Sequence, residues 1–566
     1  MKLINYNICL TFIFLSLIGC KNNETPEGDV TLRVDINNKK GPMTPVWAWF
    51  GYDEPNYTYM KDGKKLLSEI AELSPVPVYV RAHNLLTTGD GTPALKWGST
   101  NAYTEDSKGN PIYNWTLTDS IFDVYIKRGM RPLVEIGFMP EALSSKPHPY
   151  QHKWKPGAPY SDIYTGWAYP PNNHEKWSEL VYQWVKHCID KYGQAEVEKW
   201  YWELWNEPNI GYWQGTLEEY NKLYDYTADA VKRALPTATF GGPHSTGPSW
   251  DKAEIFLRGF LDHVTSGKNY VTGKTGSPID FIAFHAKGKP ELQGDTIVLM
   301  NLGTQLRDVS KGFEIVASYP ALKDKPIVIG ESDPEGCAAC SVDDYPANAY
   351  RNGTLYSSYT AAAFARKYEL ADHFGINFTG AVTWAFEFED QPWFNGYRDL
   401  ATNGIDKPVL NVFRMFGMMT GDRVAVTGDV AYDVMVARDS SIRKPVRDIN
   451  ALAAADTNRL SVMVWNYHDL NVVSPAADVN IVVQGVKVPN VNIHHYRIDQ
   501  DNSNSYEVWK KMGSPQTVSK EQYATLERSS KLKLIDGPTK MKVENGELVI
   551  STPMEGQAVS LFVIEW

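Results

Sequence analysis

The sequence has few cysteines, no excess of basic charge and no long apolar run, and each of these shortages excludes a class of protein. Five cysteines in 566 residues are too few for a scaffold built from disulfides. Lys and Arg number 56 against 67 Asp and Glu, so the net charge of −11 argues against a protein that binds nucleic-acid phosphates. With 43% hydrophobic and 22% charged residues the chain is globular, and its length predicts two or three domains.

The apolar run near the N-terminus, residues 8–18, is too short to cross a bilayer core of about 30 Å and is typical of a secretory signal. It ends in Leu17-Ile18-Gly19-Cys20, which resembles a bacterial lipoprotein cleavage box, where the cysteine becomes lipidated. A plain secretory signal that contains a cysteine is the alternative. We therefore expect a signal peptide at 1–19, lipid on Cys20, a tether at 20–29 and a place at the bacterial cell envelope, periplasmic or surface-exposed.

Residues 43–420 alternate strand-like and helix-like segments eight times. Helices are clearest at 177–192, whose apolar stripe includes Cys188 as a buried thiol, and at 361–374, and a glycine follows each. Alternation of this kind predicts parallel strands, and eight units predict an α/β fold, the (β/α)₈ or TIM barrel. The strand-like segments are 46–50, 78–81, 133–136, 200–204, 239–241, 281–285, 327–330 and 381–385.

After residue 421 the helical periodicity fades and short strand-like segments alternate with turns. This pattern predicts a C-terminal β-sandwich accessory domain at 421–566, joined by an early strand within 30–42. Because no low-complexity linker separates it from the barrel, we expect the two domains to pack tightly. The strand-like segments are 424–426, 460–466, 479–483, 491–498, 541–543 and 559–564.

Two carboxylates follow barrel strands at the positions where a barrel places its active site. The fourth strand is followed by Asn206-Glu207, and the seventh by Glu331. Because strands four and seven lie on opposite sides of the ring, we expect these carboxylates to face each other across the mouth. A facing pair suits glycoside hydrolysis, in which one acid protonates the leaving oxygen while the other attacks or activates water. A structural salt bridge is the alternative for either residue alone.

The segment Trp205-Asn206-Glu207-Pro208 resembles the acid/base motif of the clan A retaining glycosidases built on (β/α)₈ barrels. More narrowly, nearly the whole mature chain resembles glycoside hydrolase family 39, which holds β-xylosidases and α-L-iduronidases. The resemblance implies an exo-acting glycosidase that cleaves a terminal sugar from an oligosaccharide or polysaccharide by double displacement, with no metal or cofactor. The matching motifs are Arg81-Ala82-His83, Gly241-Gly242-Pro243, His285, Tyr496-Arg497-Ile498-Asp499, Trp509 and Met512-Gly513-Ser514-Pro515.

Carried over to this chain, the resemblance makes Glu207 the general acid/base and Glu331 the nucleophile. Their work requires two different pKa values at one mouth. Nearby tryptophans and negative charge would keep Glu207 protonated, and Arg81 would keep Glu331 ionised. Glu135 and Glu203 fall before their strand ends, so we expect them inside the barrel as partners of Arg81.

Four further residues at strand ends are candidate sugar contacts. Asn206 is placed to hydrogen-bond the sugar 2-hydroxyl, an interaction that strengthens in the transition state. His83 and His285 are candidates for binding ring hydroxyls, with a purely structural role as the alternative for each. Trp384, at the end of the eighth strand, is a candidate stacking surface for the sugar.

The segment after His285 bears on the substrate. It contains Lys287-Gly288, whereas the β-xylosidases of the family tend to have an aromatic residue there. The His-x-Lys-Gly pattern is similar to the iduronidase branch, in which the lysine meets the sugar carboxylate through a charge-assisted hydrogen bond. The alternative is that Lys287 pairs with a nearby acidic residue, so a β-xyloside is expected first, with an iduronide, galactoside or arabinoside as alternatives. The acidic candidates are Asp333, Glu387, Glu389 and Asp390.

Cys337 and Cys340 form a C-x-x-C pair shortly after Glu331. A barrel does not offer the context of a redox motif, and a zinc site would need further ligands at suitable spacing. A disulfide that closes the loop and two plain thiols both remain open.

Two readings other than an enzyme compete. A glycan-binding lipoprotein on an inactive barrel would usually have lost one carboxylate, and both are present. A structural protein that assembles through the β-sandwich would explain the tether but not the carboxylates at the strand ends. We expect a carbohydrate partner, membrane contact through the lipid alone and no nucleic acid, and the sequence predicts no oligomeric state.

Overall fold

A computed structural model describes residues 29–154, 157–294, 297–443, 447–471 and 476–566. The predicted signal peptide, Cys20 and all of the predicted tether except Asp29 lie outside the described residues. Among the helices of the described ranges, none is both long and apolar enough to cross a membrane.

Parallel strands form a ring with eight positions, and the strand at the eighth position is split in two. Each strand pairs in parallel with its neighbours, and the two pieces of the eighth pair with the seventh and with the first strand. Because both pieces belong to one continuous segment, the sheet is a nearly closed ring, which confirms the predicted α/β fold with a parallel barrel sheet. In order, the strands are Trp49–Tyr52, Tyr79–Ala82, Arg131–Ile136, Tyr201–Leu204, Thr239–Ser245, Phe281–Phe284, Ile327–Ile329 and Phe378–Ala381 with Thr383–Trp384.

A helix follows each barrel strand. Two of them begin earlier than predicted, at His174 and at Thr354. The first begins there because the side chain of Asn173 accepts a hydrogen bond from the backbone N–H of Lys176 (2.9 Å) and so caps the helix. Cys188 on this helix is a buried free thiol, as predicted. The helices are Lys61–Leu73, Thr116–Ile126, His174–Tyr192, Leu217–Ala234, Asp251–Ser266, Leu302–Ala317, Thr354–Phe374 and Pro408–Gly417.

Shorter helices and two-stranded sheets lie in the barrel loops. The short helix Gln194–Val197 follows the third barrel helix, and three two-stranded sheets lie in the loops. The 3₁₀ helices are Pro55–Tyr57, Glu141–Leu143, Tyr160–Ile163, Gly166–Ala168 and Pro346–Asn352. The two-stranded sheets are Tyr103–Glu105 with Pro111–Tyr113, Glu291–Gln293 with Ile297–Leu299, and Ala401–Thr402 with Ile405–Asp406.

The barrel strands are apolar runs because both of their faces are buried. In Phe281–Phe284, for example, all four residues are buried. The helices cover the outer face of such a strand while side chains fill the inside of the ring, so no alternation of polar and apolar residues is required.

A second, nine-stranded sheet contains most of the strands after residue 421. The early strand Val30–Pro42 lies within it, antiparallel to Asp422–Gly428 and parallel to Ala477–Gln484. Side chains near both ends of the sheet, such as Ile493 and Ile550, share one apolar cluster, so the sheet folds over its own core. The order of the strands is Lys533–Lys542, Asn490–Ile498, Val559–Glu565, Arg459–Tyr467, Asp448–Asp456, Asp422–Gly428, Val30–Pro42, Ala477–Gln484 and Glu547–Met554.

Several elements after residue 421 differ from those that the sequence predicts. Asp448–Asp456 is rich in alanine and has few of the β-branched residues that mark a strand. Glu547–Met554 alternates exposed and buried residues along its whole length, a pattern that the sequence does display. The helices Val434–Ser440, Ser505–Lys511 and Lys520–Ser530 were also not expected.

A buried ion pair joins the barrel to the nine-stranded sheet. Arg366, on the helix Thr354–Phe374, donates from Nη2 to both carboxylate oxygens of Asp448 at 2.8 Å. Trp465 donates from Nε1 to the same carboxylate at 2.9 Å, and its ring belongs to the apolar cluster of the barrel. The barrel and the nine-stranded sheet therefore pack closely, as expected from the absence of a linker.

Candidate active site

Glu207 and Glu331 meet at the mouth of the barrel. Glu207 follows the fourth strand, and its backbone N–H donates to the carbonyl of His244 on the fifth strand (2.9 Å). This hydrogen bond holds Glu207 in the left-handed backbone region, at φ 43°. One carboxylate oxygen of Glu207 lies within 4.8 Å of one of Glu331. The two carboxylates therefore face each other, as the strand order predicts.

Glu207 is a buried carboxyl that keeps its proton near neutral pH. Burial, and after it the negative charge of Glu331, raises the pKa of Glu207 to about 7. The Nδ1 atom of His285 lies 2.9 Å from Oε1 of Glu207. Because burial lowers the pKa of His285 to about 3, this imidazole is neutral and leaves Glu207 without a strong counter-charge. The arrangement suits a proton donor.

Glu331, in contrast, is held in its ionised form. Burial alone would raise its pKa, but the Lys287 ammonium and the Arg81 guanidinium hold the pKa of Glu331 well below its usual range. The Nζ atom of Lys287 contacts Oε2 of Glu331, and Nη1 of Arg81 lies 3.4 Å from Oε1. Glu331 is therefore ionised at neutral pH and available as a nucleophile.

Arg81 is fully buried and contacts several acidic side chains. Its Nε donates to Oε1 of Glu203 at 2.6 Å, and its Nη2 lies 3.0 Å from Oε2 of Glu135. Burial would lower the pKa of Arg81, but these carboxylates raise it, so the guanidinium stays charged. The expectation that Glu135 and Glu203 lie inside the barrel as partners of Arg81 is confirmed.

The four candidate sugar contacts all lie buried beside the carboxylates. Asn206 accepts from Nη2 of Arg81 at 3.2 Å. His83 lies 3.5 Å from Glu331, and its ring packs edge-on against the ring of Trp384. The Arg81 guanidinium lies 5.0 Å from the centre of the Trp384 ring. The fold thus brings His83, Asn206 and Trp384 to the mouth, with His285 against Glu207, and their contact with sugar remains a prediction.

Lys287 does not pair with the acidic residues proposed from the sequence. Asp333 lies 3.5 Å from Arg398 instead, while Glu387 accepts from the backbone of Gly404 and Glu389 from that of Asp62. Lys287 pairs with Glu331 because the chain segments after the sixth and seventh strands continue side by side. The N–H groups of Ala286 and Gly288 donate to the carbonyls of Glu331 and Asp333, each at 2.9 Å, which places the lysine between them beside the carboxylate.

Two residues of this site were missed in the sequence. His244 lies at the end of the fifth strand and contacts Glu203, but the predicted strand stopped at residue 241. Asp53 directly follows the first strand, and its Oδ1 lies 3.6 Å from Nε2 of His83. Both are polar residues at the carboxyl end of a barrel strand, where the active site of a barrel lies. Correct strand ends would have revealed them.

The described residues contain a group that could hold a metal ion by geometry, formed by Glu207, His285 and Glu331. The Lys287 ammonium already contacts Glu331, and its charge would repel a cation there. The residues present therefore fit a metal poorly and fit proton transfer well.

Cys337 and Cys340 form a disulfide in the loop after the seventh strand. The sequence left a disulfide and two plain thiols open, and the structure contains the disulfide. The buried Arg351 holds this loop beside the site, since it donates to the carbonyls of both cysteines at 2.9 Å and to Glu335 at 2.7 Å.

Comparison with known proteins supports the assignment of Glu207 and Glu331 to a glycosidase site. Residues 30–544 match the family model of glycosyl hydrolases family 39. A β-xylosidase of Caldicellulosiruptor saccharolyticus is 28% identical over 431 residues, which is 73% of this chain and 76% of the relative. An α-L-iduronidase of Canis lupus familiaris is 30% identical over 161 residues, or 28% of this chain and 23% of that protein.

A monomeric β-xylosidase of Caulobacter crescentus CB15 shares the fold with a TM-score of 0.72 at 22% identity, covering 94% of this chain and 99% of that one. Because the family match spans most of the chain, including both carboxylates, this protein belongs to glycosyl hydrolases family 39 and is a glycosidase.

Proposed function

We propose that this protein is an exo-acting glycosidase that releases a terminal sugar with retention of anomeric configuration. The observation that carries the proposal is a facing pair of buried carboxyls with oxygens within 4.8 Å of each other, whose surroundings raise the pKa of Glu207 and lower that of Glu331. In retaining enzymes the carboxyl groups lie about 5–5.5 Å apart, whereas inverting enzymes leave about 6.5–9.5 Å for a water molecule. The spacing of Glu207 and Glu331 supports retention.

The reaction takes two displacements. In the first, a carboxylate oxygen of Glu331 attacks the anomeric carbon while Glu207 gives its proton to the leaving oxygen. The C–O bond to the leaving group breaks as the glycosyl ester to Glu331 forms. In the second, Glu207, now ionised, takes a proton from water, and the water oxygen displaces Glu331 from the sugar.

The surrounding residues prepare the two carboxylates for these steps. Arg81 contacts Glu331 and also donates to Oδ1 of Asn206, so the amide nitrogen of Asn206 is directed away from Arg81. This orientation suits donation to the 2-hydroxyl of the sugar, where the hydrogen bond strengthens in the transition state. His83 and Trp384 pack against each other beside the same carboxylate and would contact the sugar ring.

We propose a β-xyloside as the first substrate to test. Two β-xylosidases are similar to this chain over 73% and 86% of its length, the second at 26% identity in Geobacillus stearothermophilus. An α-L-iduronide is the second candidate because the side chain of Lys287 is 23% exposed at the mouth and carries a positive charge. A sugar carboxylate would have to share this ammonium with Glu331. Galactosides and arabinosides are further alternatives.

A screen of aryl glycosides tests the proposal. The substrates are p-nitrophenyl β-D-xyloside, β-D-galactoside and α-L-arabinoside, with 4-methylumbelliferyl α-L-iduronide, and NMR records the first anomer released. We expect hydrolysis of the xyloside with the β-anomer appearing first. Initial release of the inverted anomer would contradict the retaining mechanism, and hydrolysis of the iduronide alone would move the substrate to the acidic sugars.

We further propose that residues 421–566, with the strand at 30–42, form a β-sandwich accessory domain. The nine-stranded sheet folded over a shared apolar cluster supports this proposal. The sequence around Cys20 supports a lipid anchor at the cell envelope, with a signal peptide at 1–19 and a tether at 20–29.

A further inference from the structure

An exposed tryptophan lies in the loop after the fifth barrel strand. Trp250 is 50% exposed, and it alone among the tryptophans in the described ranges belongs to the exposed large hydrophobic residues. Tryptophan is usually well buried, so an indole left in solvent calls for an explanation. The loop joins the end of the strand Thr239–Ser245 to the start of the helix Asp251–Ser266. Trp250 therefore lies on the face of the barrel that carries Glu207 and Glu331.

One side of this loop is bound to the segment that carries Glu207. The side chain of Asn209, two residues after Glu207, donates from Nδ2 to Oγ1 of Thr246 at 2.6 Å. The backbone N–H of Thr246 donates in return to Oδ1 of Asn209 at 2.9 Å. From Thr246 to Trp250 the chain can extend at most about 14 Å, so the backbone of Trp250 lies within that distance of Thr246, which is bonded to Asn209.

The other side of the loop is bound to the helix Leu302–Ala317, which follows the sixth barrel strand. Asp308 on this helix accepts from the backbone N–H of Ser249 at 3.1 Å and also contacts the Ser249 hydroxyl. A Cβ atom at Gly247 would collide with Asp308, so glycine allows this close approach. The backbone that carries Trp250 is therefore fixed before substrate binds, which lowers the entropic cost of binding.

We propose that Trp250 forms a binding subsite for the leaving-group side of an oligosaccharide or polysaccharide chain. The inference rests on the proposed function of Glu207, because an acid that protonates the leaving oxygen must lie within hydrogen-bond reach of it. The leaving group then lies on the side of Glu207, where the loop 246–250 is attached. One face of the indole stacks on a sugar ring at least one unit beyond the ring that carries the leaving oxygen, so the single aryl group of a nitrophenyl glycoside does not reach it. The Nζ atom of Lys252 lies 5.7 Å from the centre of the indole and can donate to sugar hydroxyls.

The dependence of hydrolysis on chain length tests this subsite. The variants are Trp250→Ala, Trp250→Phe and the control Ile255→Ala, which truncates a 68% exposed apolar side chain on the following helix. The substrates are p-nitrophenyl β-D-xyloside and β-1,4-xylo-oligosaccharides of two to six sugars. We expect Trp250→Ala to lower kcat/KM about fivefold on the longer oligosaccharides and to leave the aryl xyloside unchanged. Trp250→Phe should restore most of the loss, and Ile255→Ala should match the wild type on every substrate.

An equal loss on the aryl xyloside and on the oligosaccharides would overturn the subsite, and so would no loss on either. Calorimetric binding of xylohexaose to Glu331→Gln, with and without Trp250→Ala, gives a second readout that needs no turnover. If the wild type cleaves no glycoside, the proposed function fails, while weaker binding in the double variant would still support the subsite. Equal binding by the two proteins would overturn it.

Discussion

The ammonium of Lys287 and the carboxylate of Glu331 form an ion pair at the mouth of the barrel, between neighbouring strands of the ring. Glu331 is almost completely buried, and burial by itself favours a protonated carboxyl. The positive charge of Lys287, supported by Arg81, reverses this preference and keeps Glu331 ionised. Glu207 has no such ion pair and a raised pKa, so Lys287 together with Arg81 distinguishes two otherwise similar glutamates.

Lys287→Met should move the acid limb of the pH profile to higher pH. Without the ammonium the pKa of Glu331 rises, so the nucleophile becomes protonated, and activity is lost, at a higher pH than in the wild type. Removal of an opposite charge at this distance shifts a pKa by about one unit or more. The measurement is kcat/KM on p-nitrophenyl β-D-xyloside against pH. Lys287→Arg keeps the charge and should keep the limb in place, and an unmoved limb in Lys287→Met would show that the pair does not control Glu331.

The variants Glu331→Ala and Glu207→Ala should differ in which step of the reaction they lose. Glu331→Ala removes the group that forms the glycosyl-enzyme bond, so hydrolysis should be lost on every substrate. Glu207→Ala should still release dinitrophenol from a dinitrophenyl glycoside, because this leaving group needs no proton. The second step then lacks its base, so stopped-flow absorbance should show a burst followed by slow turnover, and azide should accelerate the turnover.

A product analysis with azide checks these assignments. Glu207→Ala should form a glycosyl azide of retained configuration. If azide rescues Glu331→Ala to that product and fails to rescue Glu207→Ala, the two roles are reversed. If both variants hydrolyse every glycoside as fast as the wild type, the catalytic site lies elsewhere.

Arg81→Met should destabilise the protein strongly. It leaves Glu135, Glu203 and Glu331 buried near one another without their shared counter-charge, and breaking a buried pair of this kind costs about 3–5 kcal/mol. The free energy of unfolding in urea measures the loss. Arg33→Met is the matched control, because Arg33 pairs with Asp429 at 3.3 Å while both side chains are 51% exposed. The control should lose at most about 1 kcal/mol, and an equal loss in the two variants would contradict the role of Arg81.

Cys20→Ala should release the protein from the membrane fraction or block its processing. The cysteine that follows Leu17-Ile18-Gly19 would carry the lipid, and alanine offers no thiol to modify. Fractionation of cells followed by mass spectrometry of the N-terminus gives both readouts. A Cys20→Ala protein that is processed normally and remains with the membranes would contradict the lipid anchor.

Much of the barrel could be predicted because its strands are buried on both faces. Such strands appear in the sequence as short apolar runs, and all eight lie within a few residues of their expected places. The ends of the strands were predicted less accurately than their positions. The fifth strand continues to Ser245 instead of ending at residue 241, and His244 was missed for this reason. In the nine-stranded sheet the alanine-rich strand Asp448–Asp456 has few of the β-branched residues on which the prediction depends.

The sequence by itself determined the barrel, the two carboxylates and their places after the fourth and seventh strands. These features depend on the order of residues along the chain and on the general rule that the polar residues after barrel strands gather at one face. Only the tertiary structure decided that Lys287 pairs with Glu331, that His285 contacts Glu207, and that Cys337 and Cys340 close their loop with a disulfide. The physical reason is that each outcome depends on distances of a few ångströms between side chains and on how far burial weakens the screening of charge. Neither quantity is encoded in the spacing of residues along the chain.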